Sequence, residues 1–150
     1  MTVSSSIPVR LRRVPGYDHS ELGIHVSELL QAVLDRDGPR KILVKPNLLK
    51  AGSDGLTCTH PLVTAEACQT LLDMGHHVAV GDSPAFGTAR AVARKTGLAD
   101  LLKPLGVDVV NLARPISTGL PFGHAVGISR HALEADLIVN LPKPKVHCQM

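Results

Sequence analysis

Short apolar runs alternate with segments of helical periodicity along most of this chain. Four of the runs read as buried strands, at residues 41–45, 77–81, 107–111 and 137–141. Their continuous Ile, Leu, Val and Ala character predicts that both faces of these strands are buried, which is typical of parallel strands. Most of the segments between these strands have the periodicity of amphipathic helices. The pattern therefore predicts a mostly parallel sheet with helices on both faces, a Rossmann-like three-layer α/β sandwich.

Capping residues set the expected limits of the helices. Asp18, three residues before Glu21, predicts the start of a first helix, which residues 37–39 (Asp-Gly-Pro) would end. Pro61 suits the first turn of a second helix, and Gly75 is placed to close it. The other predicted elements are a half-exposed strand at 7–14, helices at about 89–96 (capped by Thr88) and 98–103, a long excursion at 113–127 and a short helix within 129–136.

Composition favours an ordinary globular protein and argues against nucleic-acid binding. The chain has 150 residues, 44% of them apolar, which fits one domain spanning 1–150. It has one Tyr, two Phe and no Trp, so exposed rings for base stacking are scarce. The formal charge of +3 is too small to indicate nucleic acid or an anionic membrane. We therefore expect neither of these as a partner.

Cysteine and apolar content predict a reduced, cytoplasmic protein without a metal site. The three cysteines are widely spaced and include no Cys-x-x-Cys. No segment approaches the roughly 18 apolar residues of a membrane span, and residues 1–6 lack the apolar core of a signal peptide. Cys58, His60, His147 and Cys148 are suitable ligand types, but their spacing matches no zinc or iron–sulfur pattern. We therefore expect no metal ligands here.

Polar and mostly basic residues follow the predicted strands, where parallel sheets bind their ligands. A lysine offers a mobile positive charge with three donors. Helices that start after the loops at 47–59 and 83–88 would add unpaired N–H groups and a positive dipole end. We therefore expect a small anionic ligand, a phosphate or carboxylate compound. The expected ligand-binding residues are Lys45, Asn47, His60, Ser83, Lys143 and Lys145, with Asp82 and His147 as candidates for acid–base catalysis.

Each of these residues also has a structural interpretation. Two structural interpretations apply to Lys45: it is a solvated lysine, or it forms a buried ion pair with Asp82. Asp82 and Ser83 could serve local hydrogen bonds in their turn. Arg90 and Arg94 fit surface positions on a helix. No Gly-x-Gly-x-x-Gly, Walker or nucleophile-elbow sequence is present, so neither a standard nucleotide site nor a Ser–His–Asp triad is supported.

The order of these motifs resembles that of domain of unknown function family 362. The resemblance covers about residues 40–147. Its motifs are the strand running into Lys-Pro-Asn at 42–47, Thr-His-Pro at 59–61, Gly-Asp-Ser-Pro at 81–84, Lys-Thr-Gly-Leu at 95–98, and the run from Glu134 through Asn-Leu-Pro-Lys-Pro-Lys to His147.

The resemblance implies a longer natural protein and a link with redox metabolism. Members of the family continue past this histidine, and many carry a ferredoxin-like segment with two four-cysteine clusters. We therefore expect this chain to be the N-terminal part of a longer family domain, with an iron–sulfur cluster only in longer relatives and no cofactor identified here. Two functions stay open: part of an enzyme that binds a small anion, or a non-catalytic module that docks onto an iron–sulfur domain or another copy of itself.

Overall fold

The computed structural model describes residues 9–34, 38–50 and 57–144. Within them the chain forms six strands, five α-helices and one 3-10 helix. In chain order these are α1 (His19–Gln31), β1 (Lys41–Pro46), α2 (Pro61–Asp73), β2 (His77–Asp82), α3 (Ala89–Lys95), α4 (Leu98–Leu102), the 3-10 helix (Lys103–Leu105), β3 (Asp108–Asn111), β4 (Pro115–Gly119), β5 (Ala125–Ser129), α5 (Arg130–Leu133) and β6 (Leu137–Leu141).

Four of the strands form one parallel sheet, in the order β3-β2-β1-β6. Val44 at the centre of β1 is in register with Val80 of β2 and Val139 of β6. The four strands predicted from the sequence are the four strands of this sheet. The predicted α/β class, a parallel sheet flanked by helices in a Rossmann-like sandwich, is therefore confirmed.

The main core lies between the sheet and helix α2. Ile42, Val44 and Val80 point to this side, and Ala67 and Leu71 of α2 are fully buried against them. Alternate residues of a strand share a face, so the even-numbered positions of β1 and β2 supply this surface. Helices α3 and α4 extend the core, and α1 packs on α2 as an outer layer.

The second face of the sheet is packed most closely at its centre. Leu43 is 2% exposed, and a Cβ on Gly81 would lie 3.0 Å from side-chain atoms of both Leu43 and Val110. Glycine is therefore required for this close approach. The same face is less buried at edge strand β6, where Ile138 is 44% exposed. His131 of α5 joins Leu43 in lining a cavity of about 260 Å³ on this side.

The predicted helix limits are close to the observed ones, except at the end of α1. Asp18 caps α1, with its Oδ1 accepting hydrogen bonds from two backbone N–H groups of the first turn. Pro61 is the first residue of α2, and Thr88 caps α3. Gly75 follows α2 with φ +86°, the left-handed conformation in which glycine carries no penalty. The expected end of α1 is wrong, because the helix stops at Gln31 with Ala32 as its C-cap, before the Asp-Gly-Pro sequence at 37–39. Asp37 itself lies outside the described residues.

Two further sequence expectations are wrong. Residues 9–14 of the strand expected at 7–14 form no strand, and their apolar side chains Val9 and Leu11 are more than 80% exposed. Residues 7 and 8 lie outside the described residues. The excursion expected at 113–127 instead contains most of an antiparallel hairpin of β4 and β5. This hairpin is mostly exposed, so it lacks the apolar run by which the sheet strands were identified.

Candidate functional site

The carboxyl ends of the four parallel strands lie at one side of the sheet, here called the carboxyl edge. Lys45 near the end of β1 is in register with Asn140 of β6, and Asp82 at the end of β2 with Asn111 of β3. The predicted site residues that this edge or its following loops carry are Lys45, Asn47, His60, Asp82, Ser83 and Lys143. The other two, Lys145 and His147, lie outside the described residues.

Lys45 and Asp82 form an ion pair between neighbouring strands. The Lys45 Nζ lies 2.9 Å from Asp82 Oδ1, and the backbone N–H of Leu48 donates to Asp82 Oδ2 over 2.6 Å. The carboxylate side chain is only 10% exposed, whereas that of the lysine is 39% exposed. Both carboxylate oxygens are therefore engaged. The pair fixes the direction of the ammonium group and neutralises its charge.

The hydroxyl of Thr59 ties the loop after β1 to the end of β6. It accepts a hydrogen bond from the backbone N–H of Asn47 over 2.9 Å and donates to the carbonyl of Leu141 over 2.7 Å. The side-chain amide of Asn47 donates to the carbonyl of Thr57 over 2.7 Å. The amide donor of Asn47 thus supports the loop. Nothing in the sequence indicated the role of Thr59, which depends on a contact across 82 positions.

His60 caps helix α2, and its capping hydrogen bond defines the tautomer of the neutral ring. Its Nδ1 accepts a hydrogen bond from the backbone N–H of Leu62 over 3.3 Å, so Nε2 carries the proton of the neutral ring. The ring stacks on Tyr17, with centroids 3.6 Å apart. Partial burial, and then the positive charge of Lys143, lower the pKa of His60 below its usual value. His60 is therefore a neutral hydrogen-bond donor near a lysine at neutral pH.

The backbone donors expected at the helix starts are already engaged. Pro61 has no N–H group, and the N–H of Leu62 donates to His60. At α3, the N–H of Ala89 donates to Asn111 Oδ1 over 2.7 Å. The expectation of unpaired N–H groups is therefore wrong at these positions. The N–H groups of Leu62 and Ala89 are not available as donors to a ligand.

Lys143 is half-buried and has no acidic partner among the described residues. It follows β6, close enough to His60 for its charge to act on the imidazole pKa. Ser83, which follows β2 directly, is exposed and has no side-chain hydrogen bond within the described ranges. Within the described ranges, Lys143 and Ser83 therefore keep side-chain polar groups without a hydrogen bond or ion pair.

The described residues contain no cluster of three His, Cys, Asp or Glu side chains that could hold a metal ion. Cys58 and Cys68 are buried free thiols, and burial raises the pKa of Cys68 to about 12. Such a thiol stays protonated at neutral pH. In the same part of the chain, none of the helices combines the length and the apolar character needed to cross a membrane.

The lowered pKa of His60 predicts a loss of stability in mild acid. Above the ordinary pKa of 6.5 the ring is neutral in both states, and below it the unfolded chain takes up the proton first. Stability should therefore fall as the pH drops below 6.5. His60→Asn keeps an acceptor for the Leu62 N–H but does not titrate. Urea unfolding across this range should show a shallower loss for the variant, and parallel curves would contradict this.

Comparison with known proteins places most of the chain in one family. The family model described as "Domain of unknown function (DUF362)" matches residues 42–150. The chain is 39% identical over 113 residues to "Thylakoid-associated protein sll1697" of Synechocystis sp. (strain ATCC 27184 / PCC 6803 / Kazusa). This match covers 73% of the chain but only 35% of that relative. No solved structure matches the chain.

Proposed function

We propose, for a chain that belongs to the domain of unknown function family DUF362, that its carboxyl edge binds a small anionic ligand as part of an enzyme. The ligand class is a phosphate or carboxylate compound. Because the chain spans about a third of the length of its curated relative, the reaction would be completed by residues outside this sequence. The family description assigns no activity, so the proposal rests on the geometry of the edge.

The observation that carries the proposal is the environment of Lys143. The neutral ring of His60 gives the Lys143 ammonium no electrostatic stabilisation, and no carboxylate among the described residues pairs with it. A bound oxyanion would supply the missing negative charge. It would also accept a hydrogen bond from His60 Nε2, since Nδ1 is engaged with Leu62.

The remaining predicted residues take secondary roles in this proposal. Asp82 holds Lys45 in a fixed direction through their ion pair, so that the ammonium contributes a positioned donor rather than a free charge. The exposed hydroxyl of Ser83 is available to orient the ligand. Asn47 acts indirectly, because its backbone and amide hold the loop that leads to His60.

Proton transfer would fall to a residue that the fold does not already use. Asp82 has both oxygens occupied, by Lys45 and by the Leu48 N–H, so ligand binding would have to displace Lys45 before Asp82 could act as a base. His147 stays the other candidate for acid–base catalysis. Lys145 stays a candidate for charge neutralisation.

Replacement of Lys143 tests the proposal. Lys143→Met keeps the aliphatic stem but removes the charge, so the fold should persist. Affinity for inorganic phosphate, followed at the His60 ring protons by NMR, should fall about tenfold, the effect of losing one charged hydrogen bond. Lys103→Met, which removes an exposed lysine from the 3-10 helix, is the matched control. Equal phosphate affinity in both variants would contradict a role for Lys143.

The alternative is a non-catalytic module that docks onto an iron–sulfur domain or a second copy of the chain. The exposed Ile138 on edge strand β6 and the thin cover of the second sheet face favour it. Ile138→Asp should abolish such an assembly in size-exclusion chromatography while leaving phosphate binding unchanged. A cytoplasmic location stays part of the proposal, and the name of the curated relative describes that protein as thylakoid-associated.

A further inference from the structure

A second set of cationic side chains lines a cavity at the carboxyl end of β3. The cavity measures about 390 Å³, within the range of small-molecule sites. It lies two strands away from β1, and none of its lining residues belongs to the group around His60 and Lys143. The lining residues are Arg90, Val110, Asn111, Ala113, Arg114 and His131, none of them acidic.

Arg90 is held in place by the sheet itself. Its Nε donates to the carbonyl of Val109 on edge strand β3 over 2.8 Å. That bond fixes the plane of the guanidinium group. The two terminal nitrogens have no partner among the described residues. They therefore form a positioned fork of the kind that pairs with carboxylate or phosphate oxygens.

Arg114 has an unusual backbone conformation at the same cavity. With φ +55°, it is the one non-glycine residue at positive φ among the described residues. An arginine in this region costs free energy that a glycine would not. Arg114 also has no acidic partner in the described ranges. The strain is thus retained at a position whose charged side chain lines the cavity.

Asn111 adds an oriented neutral donor. Its Oδ1 accepts the backbone N–H of Ala89 over 2.7 Å, which fixes the side-chain amide. Its Nδ2 group makes no hydrogen bond within the described part of the chain. An amide donor fixed between two arginines suits an oxyanion with several acceptor oxygens.

We propose that this cavity binds the phosphate or carboxylate group of a small molecule through Arg90, Arg114 and Asn111. His131 lines the same space and provides a further ring nitrogen. The two arginines are exposed and have no acidic partner among the described residues, and both line one concave site where an oxyanion with several acceptor oxygens can pair with each of them. This site goes beyond the proposed function, because it involves different residues at the other side of the same edge.

Arg114→Gly is the sharpest test, because it separates binding from stability. Glycine adopts φ +55° without strain, so the variant should unfold at the same or a higher urea concentration. Its affinity for inorganic phosphate, followed at the Asn111 side-chain amide by NMR, should fall about tenfold or more. Arg90→Gln should show a similar loss. Arg94→Gln, the same charge change on α3 outside this cavity, should bind phosphate as the unaltered protein does.

Each outcome of this experiment decides between the alternatives. Unchanged phosphate affinity in Arg114→Gly would overturn the site. An equal loss of affinity in Arg94→Gln would also overturn it, because general electrostatics would then explain the binding. Phosphate-induced shifts at Asn111 without shifts at His60 would support this cavity and contradict the proposed function, and the reverse pattern would do the opposite. Malonate in place of phosphate distinguishes carboxylate from phosphate selectivity, and binding of neither overturns the inference.

Discussion

Asp82→Ala is expected to lower the free energy of unfolding by about 2–4 kcal/mol, as for the breaking of a largely buried ion pair. The change removes the acceptor of the buried Leu48 N–H and leaves Lys45 without its partner. Part of the ammonium remains solvated, because the Lys45 side chain is 39% exposed, and this keeps the loss below the upper limit for such pairs. Urea unfolding followed by circular dichroism gives the value.

A second variant separates the two interactions of Asp82. Asp82→Asn keeps an oxygen that can accept the Leu48 N–H but cannot neutralise Lys45, so we expect it to be about 1 kcal/mol more stable than Asp82→Ala. Asp108→Ala, at an exposed position of β3, should change the stability by less than about 0.5 kcal/mol. A loss in Asp82→Ala no larger than that of Asp108→Ala would contradict the structural importance of the pair.

Thr59→Val should destabilise the protein by about 2 kcal/mol, although the two side chains have nearly the same shape. The substitution leaves the Asn47 N–H and the Leu141 carbonyl, both half-buried, without their partner. It also releases the loop that carries His60 from the end of β6. Unfolding should therefore occur at a lower urea concentration, and the affinity for phosphate at the His60 ring should weaken as well.

The matched control for this prediction is Thr59→Ser. It retains the hydroxyl and removes only a methyl group, so both hydrogen bonds persist, and the loss should stay below that of Thr59→Val. Equal stability of the serine and valine variants would show that the two hydrogen bonds contribute nothing measurable. The tie between the loop and β6 would then have to depend on packing alone.

The fold was predictable where local chemistry and burial agree. The run Ile42-Leu43-Val44 is buried on both faces and reads as a strand without further information. Asp18 and Pro61 start helices for reasons confined to a few neighbouring residues. The β4–β5 hairpin was missed because its strands are short, largely exposed and rich in glycine and proline, so that no periodicity distinguishes them from a loop.

The residues at the carboxyl edge were predictable, but the Lys45–Asp82 pair was only one of the interpretations that the sequence left open. Parallel strands bring Lys45 and Asp82 to the same edge, which followed from their positions after two strands. Their contact depends on the register between β1 and β2, which the sequence does not encode locally. The stacking of Tyr17 on His60 and the positive φ of Arg114 had no signal at all, because neither residue type favours these arrangements.

The pKa of His60 in sulfate tests the central claim most directly, because an anion bound by Lys143 and His60 must act on that ring. Sulfate stays doubly charged over the whole titration, and chloride at equal ionic strength corrects for general screening. NMR titration should show the pKa of His60 raised in sulfate, while the ring signals of His77, at the opposite end of β2, respond equally to sulfate and chloride. A His60 pKa identical in sulfate and chloride, or an equal sulfate response of the His77 ring signals, would contradict an anion site at His60 and Lys143.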